Sequence, residues 1–195
     1  FNEVYRLIDM GLTYLKSGRS DQALTTIRAS IDLATEIQNY QERQYQLTLL
    51  GQIYLQLDRL EEAGSALEEA SKFSSEWNNH RTLTTRGIVF ARLHAPVEAS
   101  EAFRAAIAHA ESLLTRTANS FDPKYYKALS LAGLGLTDVE GNRAGYIEES
   151  AQMYQRALRN CSALGIVRYA DGLFQMLQLA DASGSLASID ALFGR

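Results

Sequence analysis

The stretch GQIYLQLDRLEEAGSALEEA (residues 51–70) decides the fold of this chain. Gly51 opens it, Tyr54 follows three residues later, and Ala63, Leu67 and Ala70 come after it at separations of four and three residues. The same pattern occurs once before this stretch and once after it: Gly11, Tyr14, Ala23, Ile27 and Ser30, then Gly87, Phe90, Ala99, Phe103 and Ala106. The glycines lie 40 residues apart (11 to 51) and 36 residues apart (51 to 87). A fixed period in this range indicates a repeat array.

Each recurring position has a physical role in a pair of antiparallel helices. The glycine and the alanines suit the point where two helices cross, because a bulky side chain there would hold the backbones apart. The aromatic residue and the later large apolar residue fill the layer between one hairpin and the next. One hairpin cannot bury both of its faces, so the pattern predicts hairpins that stack on one another.

These positions resemble the tetratricopeptide repeat, in copies that read LIDMGLTYLKSGRSDQALTTIRAS, LTLLGQIYLQLDRLEEAGSALEEA and LTTRGIVFARLHAPVEASEAFRAA. Leu7, Leu47 and Leu83 stand where that repeat usually has tryptophan. The resemblance implies an all-α fold, a right-handed superhelix (α-solenoid) of about four hairpins with capping helices. The expected arrangement is one domain over residues 1–195, with hairpins at 3–39, 40–78, 79–118 and 122–162 and capping helices over 166–193.

The fourth hairpin departs from the pattern of the first three. Ala132 is predicted to take the glycine position, and Ser150, Tyr154 and Ala157 repeat the later spacing of four and three residues. The separation from 132 to 150 is 18 residues, against 12 elsewhere, which places six extra residues in the polar loop 138–145. A tolerated insertion is the favoured explanation, and a functional loop is the alternative.

Local signals predict where several helices begin and end. Gly18 suits a helix end, and Ser20 or Asp21 suits the next N-cap. Pro96 is expected in the first turn of a helix, and Asp122 is expected to cap the helix that follows it. Trp77 is expected to end the second helix of the second hairpin.

Composition and motifs argue against several functions. A net charge of −4 without a basic stripe is unlike a general nucleic-acid binder. No phosphate-binding glycine loop, paired histidines or Cys-x-x-Cys motif occurs, so neither an enzyme, a cofactor nor a metal is expected. The single cysteine, Cys161, favours a reducing, cytoplasmic compartment, and no apolar run is long enough to span a bilayer. The first residue is Phe1 rather than methionine, so we expect a fragment of a larger protein.

The resemblance also implies a concave groove formed by the first helix of each hairpin. Its positions correspond here to Tyr5, Lys16, Tyr45, Thr48, Gln52, Gln56, Arg81, Thr84, Ile88, Arg92 and Tyr126. Tyrosines with a few cations would suit an extended peptide carrying acidic and apolar side chains. The alternative is that the tyrosines pack between hairpins and the cations are solvated. The lysine and asparagines that clamp chaperone C-termini in some relatives are not found at these positions.

Two functions follow as hypotheses. The first is a non-catalytic scaffold that binds a protein or peptide partner in the groove. The second is a regulatory or sensor domain of a larger signalling protein that acts within its own chain, because repeats near 40 residues with a divergent last pair look like the C-terminal arrays of bacterial signal-transduction ATPases. Self-association through apolar stack ends is also open.

Overall fold

The structure is a computed structural model that describes residues 2–40, 42–138, 141–160 and 164–193. These residues form ten α-helices and one 3₁₀ turn and no strand, so the predicted all-α fold is confirmed. The helices are α1 (Asn2–Lys16), α2 (Ser20–Glu36), α3 (Arg43–Gln56), α4 (Leu60–Ser71), α5 (Asn79–Arg92), α6 (Pro96–Arg116), α7 (Phe121–Thr137), α8 (Arg143–Asn160), α9 (Leu164–Gln178) and α10 (Ala187–Asp190), and the 3₁₀ turn is Ala191–Phe193.

The chain divides into two compact units, residues 1–78 and 79–195. The first unit holds the hairpins α1–α2 and α3–α4, and α2 also packs against α3. The second unit holds the hairpins α5–α6 and α7–α8, with α6 packed against α7, and the C-terminal helices. The division falls at the expected limit between the second and third hairpins, and a single domain over the whole chain stays a prediction.

The recurring glycines lie where the two helices of a hairpin approach most closely. A Cβ atom on Gly51 would lie 2.7 Å from Leu67 Cγ, and one on Gly87 would lie 2.5 Å from Phe103 Cε1. Gly11 lies in the same way against Ile27. All three large side chains are fully buried. The pairing of a glycine with the large apolar residue sixteen positions later therefore brings the two helices of each hairpin together.

The fourth hairpin has a close approach at a glycine that the sequence pattern did not single out. An added Cβ on Gly135 would lie 2.7 Å from Ile147 Cγ1 of α8, and the assignment of Ala132 to the glycine position stays a prediction. Gly133 lies instead against the edge of the Phe103 ring that faces away from Gly87. Helix α7 therefore carries two glycines two residues apart, because Gly133 lies against α6 and Gly135 lies against α8. The loop before α8 is 138–142, of which residues 139 and 140 lie outside the described part.

The turn between the two helices is the same in the first three hairpins. Gly18, Asp58 and His94 adopt positive φ angles of 72°, 59° and 57°. In each turn the residue that follows donates its backbone N–H to the carbonyl of the recurring aromatic residue, at 2.9 Å for Arg19 to Tyr14, for Arg59 to Tyr54 and for Ala95 to Phe90. The expected helix end at Gly18 is therefore confirmed, and the aromatic position also holds the turn through its backbone.

Three of the expected helix ends are wrong. Arg19 is the N-cap of α2 without a side-chain bond, and Ser20 instead donates its hydroxyl to Gln56 Oε1 at 3.2 Å. Ser120 precedes α7, so Asp122 lies inside the helix and is used in an ion pair. Helix α4 ends at Ser71, well before Trp77. Pro96 begins α6 as predicted.

We expect Gly51→Ala to lower the free energy of unfolding by about 1–3 kcal/mol, because the new methyl group overlaps the buried Leu67 side chain. In a helix without that contact the same change would be stabilising by about 1 kcal/mol. Urea unfolding measures the effect. In a Leu67→Ala background the overlapping atoms are gone, and Gly51→Ala should then be neutral or stabilising. Equal stability of Gly51→Ala and the unaltered protein would contradict the proposed contact.

We expect His94→Gly to raise the free energy of unfolding by about 1 kcal/mol. The positive φ of His94 is unfavourable for a residue with a Cβ atom, and its side chain is exposed, so little packing is lost. The reverse change at the equivalent position, Gly18→His, should lower stability by about the same amount. Thermal or urea unfolding of both variants tests the pair, and a destabilised His94→Gly would show that the imidazole has a structural role.

Candidate interaction surfaces

The first unit keeps four of its six expected groove positions at or near the surface. Tyr5 is 40% exposed, and Lys16, Tyr45 and Gln56 are partly exposed. They lie on α1 and α3, which contact each other. We call this surface, carrying Tyr5, Lys16, Tyr45 and Gln56, the first-helix face.

The two other expected positions of the first unit are buried. Thr48 and Gln52 are each 1% exposed, so neither side chain is available to a partner in this structure. The hydroxyl of Thr48 donates to the carbonyl oxygen of Gln44 at 2.8 Å, within α3. Because α3 is buried on several sides, its expected groove positions that keep some exposure are Tyr45 and Gln56, near its two ends.

In the second unit the expected cation Arg81 belongs to an ion pair. Its Nε donates to Asp122 Oδ2 at 2.9 Å, and His80 Nε2 lies 2.8 Å from the same oxygen. An ionised carboxylate only accepts hydrogen bonds, so His80 donates through Nε2. Burial raises the pKa of Asp122, but the hydrogen bond from His80 and the charge of Arg81 outweigh it and bring this pKa below the usual aspartate value. The three residues tie the start of α5 to the start of α7.

The remaining expected positions of the second unit lie mostly in its interior. Thr84, Ile88 and Tyr126 are all buried. The Thr84 hydroxyl lies 2.8 Å from that of Ser130, which joins α5 to α7. Arg92, at the end of α5, is partly exposed. The alternative in which the tyrosines pack inside the protein is therefore favoured for Tyr126, whereas Tyr5 and Tyr45 keep some exposure.

Helix α9 explains part of this burial. It contacts both α5 and α7, and the hydroxyl of Tyr169 lies 3.1 Å from that of Tyr126. The sequence predicts a capping helix over 166–182, and the observed helix begins and ends slightly earlier. The helix α10 and the following 3₁₀ turn pack against α8 instead. Cys161 lies outside the described residues.

An aromatic cluster, which the sequence pattern did not reveal, connects these elements. The ring of Tyr154 contacts the rings of Tyr125, Phe174 and Phe193, with centroids 5.8, 5.8 and 5.5 Å away. Burial raises the pKa of both the Tyr125 and the Tyr154 hydroxyl, and the nearby Asp171 carboxylate adds to the effect. The Tyr154 hydroxyl is buried and has no hydrogen-bond partner among the described residues. The repeat pattern placed Tyr154 at a large apolar position, but it did not give the rings that surround it.

Neither a metal centre nor a membrane-spanning helix is found among the described residues. No group of three or more His, Cys, Asp or Glu side chains there could hold a metal ion. No helix there has the length and apolar character needed to cross a membrane.

Paired helices with glycine crossings and identical turns define a helical-repeat protein. A family model described as "Tetratricopeptide repeat" matches residues 47–76, which contain α4 and most of α3. Together with the all-α hairpin fold, this match supports an assignment to the tetratricopeptide repeat superfamily. No curated protein and no solved structure shows significant similarity to the chain.

We expect Asp122→Asn to lower the free energy of unfolding at pH 7 by about 1–2 kcal/mol. The change removes the hydrogen bonds to a charged carboxylate, and the partial exposure of that carboxylate reduces their contribution. The Asp122 side chain is 34% exposed. Its lowered pKa means that this stabilisation is complete above the unfolded aspartate pKa of about 3.9. The stabilisation is lost as the pH falls through the folded value.

Urea unfolding of Asp122→Asn and the unaltered protein between pH 7 and pH 3 tests this. The difference should stay constant down to about pH 4.5 and shrink below about pH 4. Glu62→Gln is the matched control, since its ion pair with Arg59 lies on the surface, and stability should change little. A difference that persists unchanged at pH 3 would contradict an ionised Asp122 as its source.

Proposed function

We propose that the protein is a non-catalytic interaction module that binds a protein or peptide partner through the first-helix face. The observation that carries the proposal is the partial exposure of Tyr5, Lys16, Tyr45 and Gln56 on two helices in contact. Tetratricopeptide repeats generally mediate protein–protein interaction, and all-helical repeat folds of this kind are typically non-catalytic.

The chemistry of this face favours an extended segment with acidic and apolar side chains. Tyr5 and Tyr45 offer amphipathic aromatic surface, which is enriched at protein interfaces. Lys16 supplies a positive charge at the end of α1, where a partner carboxylate would be attracted. Gln56 can exchange its bond from the Ser20 hydroxyl for a bond to a partner's backbone. On such a surface the tyrosines would contact apolar side chains of the partner, and the polar residues would surround that contact.

A second candidate function is a regulatory domain that acts within its own longer chain. The contact of α9 with α5 and α7 favours it, because a segment of the same polypeptide already lies on helices that the repeat family uses for binding. In this case the first-helix face would bind another part of the parent protein. The two functions differ in whether the bound segment is covalently connected to this domain.

Site-specific photocrosslinking in the native cell tests the proposal. Benzoylphenylalanine replaces Tyr5 or Tyr45 in separate samples, and Tyr40 serves as the matched control. Tyr40 is also a tyrosine and is 48% exposed, but it precedes α3 and lies outside the first-helix face. We expect the same partner to be crosslinked from positions 5 and 45 and to be absent from position 40.

Each other outcome of this experiment has a definite meaning. Crosslinks within the same polypeptide would establish the regulatory alternative. A partner captured only from position 40, or equally from all three positions, would show that the first-helix face is not the binding surface. If the partner is acidic, Lys16→Glu should lower its affinity about tenfold, which is a loss of about 1.4 kcal/mol of binding free energy.

A further inference from the structure

The hairpin α5–α6 has a second surface, on the side of α5 that faces away from the expected groove positions. Leu83, Arg86 and Phe90 follow one another at intervals of three and four residues, so they lie on one side of α5. At 3.6 residues per turn, this side is opposite to that of Thr84 and Ile88. The row of three residues therefore does not belong to the concave groove that the family resemblance implies.

This row and four residues of α6 line an open cleft of about 270 Å³ in the second unit. Apolar side chains and charges of both signs stand next to one another in it. Glu98 and Glu101 are exposed, whereas Arg86 and Phe90 are partly exposed. We call this surface the α5–α6 face, and its residues are Leu83, Arg86, Phe90, Glu98, Glu101, Ala102 and Ala105.

The equivalent side of the second hairpin is covered by a helix. Leu47 and Tyr54 occupy there the repeat positions of Leu83 and Phe90, and they are only 3% and 6% exposed. Helix α2 packs against α3, and Arg28 of α2 donates a hydrogen bond to the Tyr54 hydroxyl. In the second unit the corresponding side of the hairpin stays open as the cleft. The repeat thus builds a surface that buries its aromatic residue when a helix is placed on it.

The charges of the α5–α6 face have no ionic partners of their own. Arg86 stands at a position that is apolar in the first two hairpins, and its guanidinium lies 5.6 Å from the centroid of the Phe90 ring. Within the described part of the chain, Arg86, Glu98 and Glu101 form no ion pair. A partner that fits this face would bring an acidic group to Arg86 and a basic group to the two glutamates.

We infer that the α5–α6 face is a self-association surface whose partner is the same face of a second copy of the chain. A surface that carries both signs of charge can be its own complement when two copies are related by a twofold axis. Arg86 of one copy then meets Glu98 and Glu101 of the other, and the reverse contact forms at the same time. Leu83 and Phe90 are covered in the same step.

The size of the face indicates a dimer that dissociates on dilution. Helix α5 has 14 residues, which gives a length of about 21 Å at about 1.5 Å per residue. A surface of that length and two helices wide lies at the lower end of the areas that stable interfaces bury. Because ion pairs between the copies carry part of the contact, added salt should weaken the dimer.

Sedimentation velocity of the full chain over a range of concentrations tests the inference. The chains compared are the unaltered protein, Arg86→Glu, and the double variant Glu98→Arg, Glu101→Arg. Arg6→Glu is the matched control, since Arg6 pairs with Glu3 on the surface of α1. We expect the unaltered protein and the control to dimerise equally. Each of the other two chains should dimerise at least tenfold more weakly, because like charges then meet across the axis.

Mixing the two weakened variants gives the decisive result. In equal amounts they should form a mixed dimer about as stable as the unaltered one, because every charge contact in it joins opposite signs. Circular dichroism shows whether each variant is folded, and the salt dependence of the unaltered dimer tests the charge contact without any substitution. A monomer at every concentration, a dimer that neither variant weakens, or a loss that mixing does not restore would overturn the inference.

The inference goes beyond the proposed function, which concerns α1 and α3. Arg86→Glu should leave the crosslinks from positions 5 and 45 unchanged, because neither position lies in the α5–α6 face. A partner captured from those positions by a chain that is always a monomer would support the proposed function and overturn the dimer. A dimer without such a partner would do the reverse.

Discussion

The close approach of two helices at a glycine is the constraint on which the rest of this structure depends. Gly11, Gly51 and Gly87 each accept a large buried side chain from the second helix of the hairpin. Without a Cβ atom the two backbones can come near enough for one isoleucine, leucine or phenylalanine to fill the space between them. In the second unit the same device is used twice, because the Phe103 ring lies between Gly87 of α5 and Gly133 of α7. One phenylalanine thereby holds two neighbouring hairpins together.

The first helices of the hairpins differ between the two units in how far their expected groove positions are exposed. In the first unit, α1 keeps Tyr5 and Lys16 at or near the surface, and α3 keeps Tyr45 there. In the second unit, the corresponding residues of α5 make hydrogen bonds to α7, from Thr84 to Ser130 and from Arg81 to Asp122. A position that stays partly exposed in one repeat thus stabilises the fold in another. The repeat supplies the geometry, and the local residue decides the use.

The aromatic cluster around Tyr154 gives the C-terminal half of the second unit its own interior. Rings from α7, α8, α9 and the 3₁₀ turn meet there. Tilted and edge-to-face ring pairs of this kind add to the stability that burial of the rings provides. Helix α9 therefore combines fully buried apolar side chains with a hydroxyl contact between its Tyr169 and Tyr126 of α7. This combination distinguishes it from the glycine-locked hairpins.

The sequence by itself determined the hairpins, because their contacts join residues at a fixed short separation and leave a visible period. The sequence pattern predicted the pairing of Gly11 with Ile27, the two equivalent pairs in the next hairpins, and the turn at Gly18. Asp122 was assigned wrongly as a helix cap, since it lies inside α7 and pairs with side chains of α5. The pattern also did not single out Gly133 and Gly135, through which α7 fits against two neighbouring helices. Only the tertiary structure decided which groove positions stay exposed and where α9 lies. Amphipathic spacing indicates that a helix has an apolar side. It does not indicate which distant part of the chain covers that side, because that depends on surfaces that form only when the chain folds.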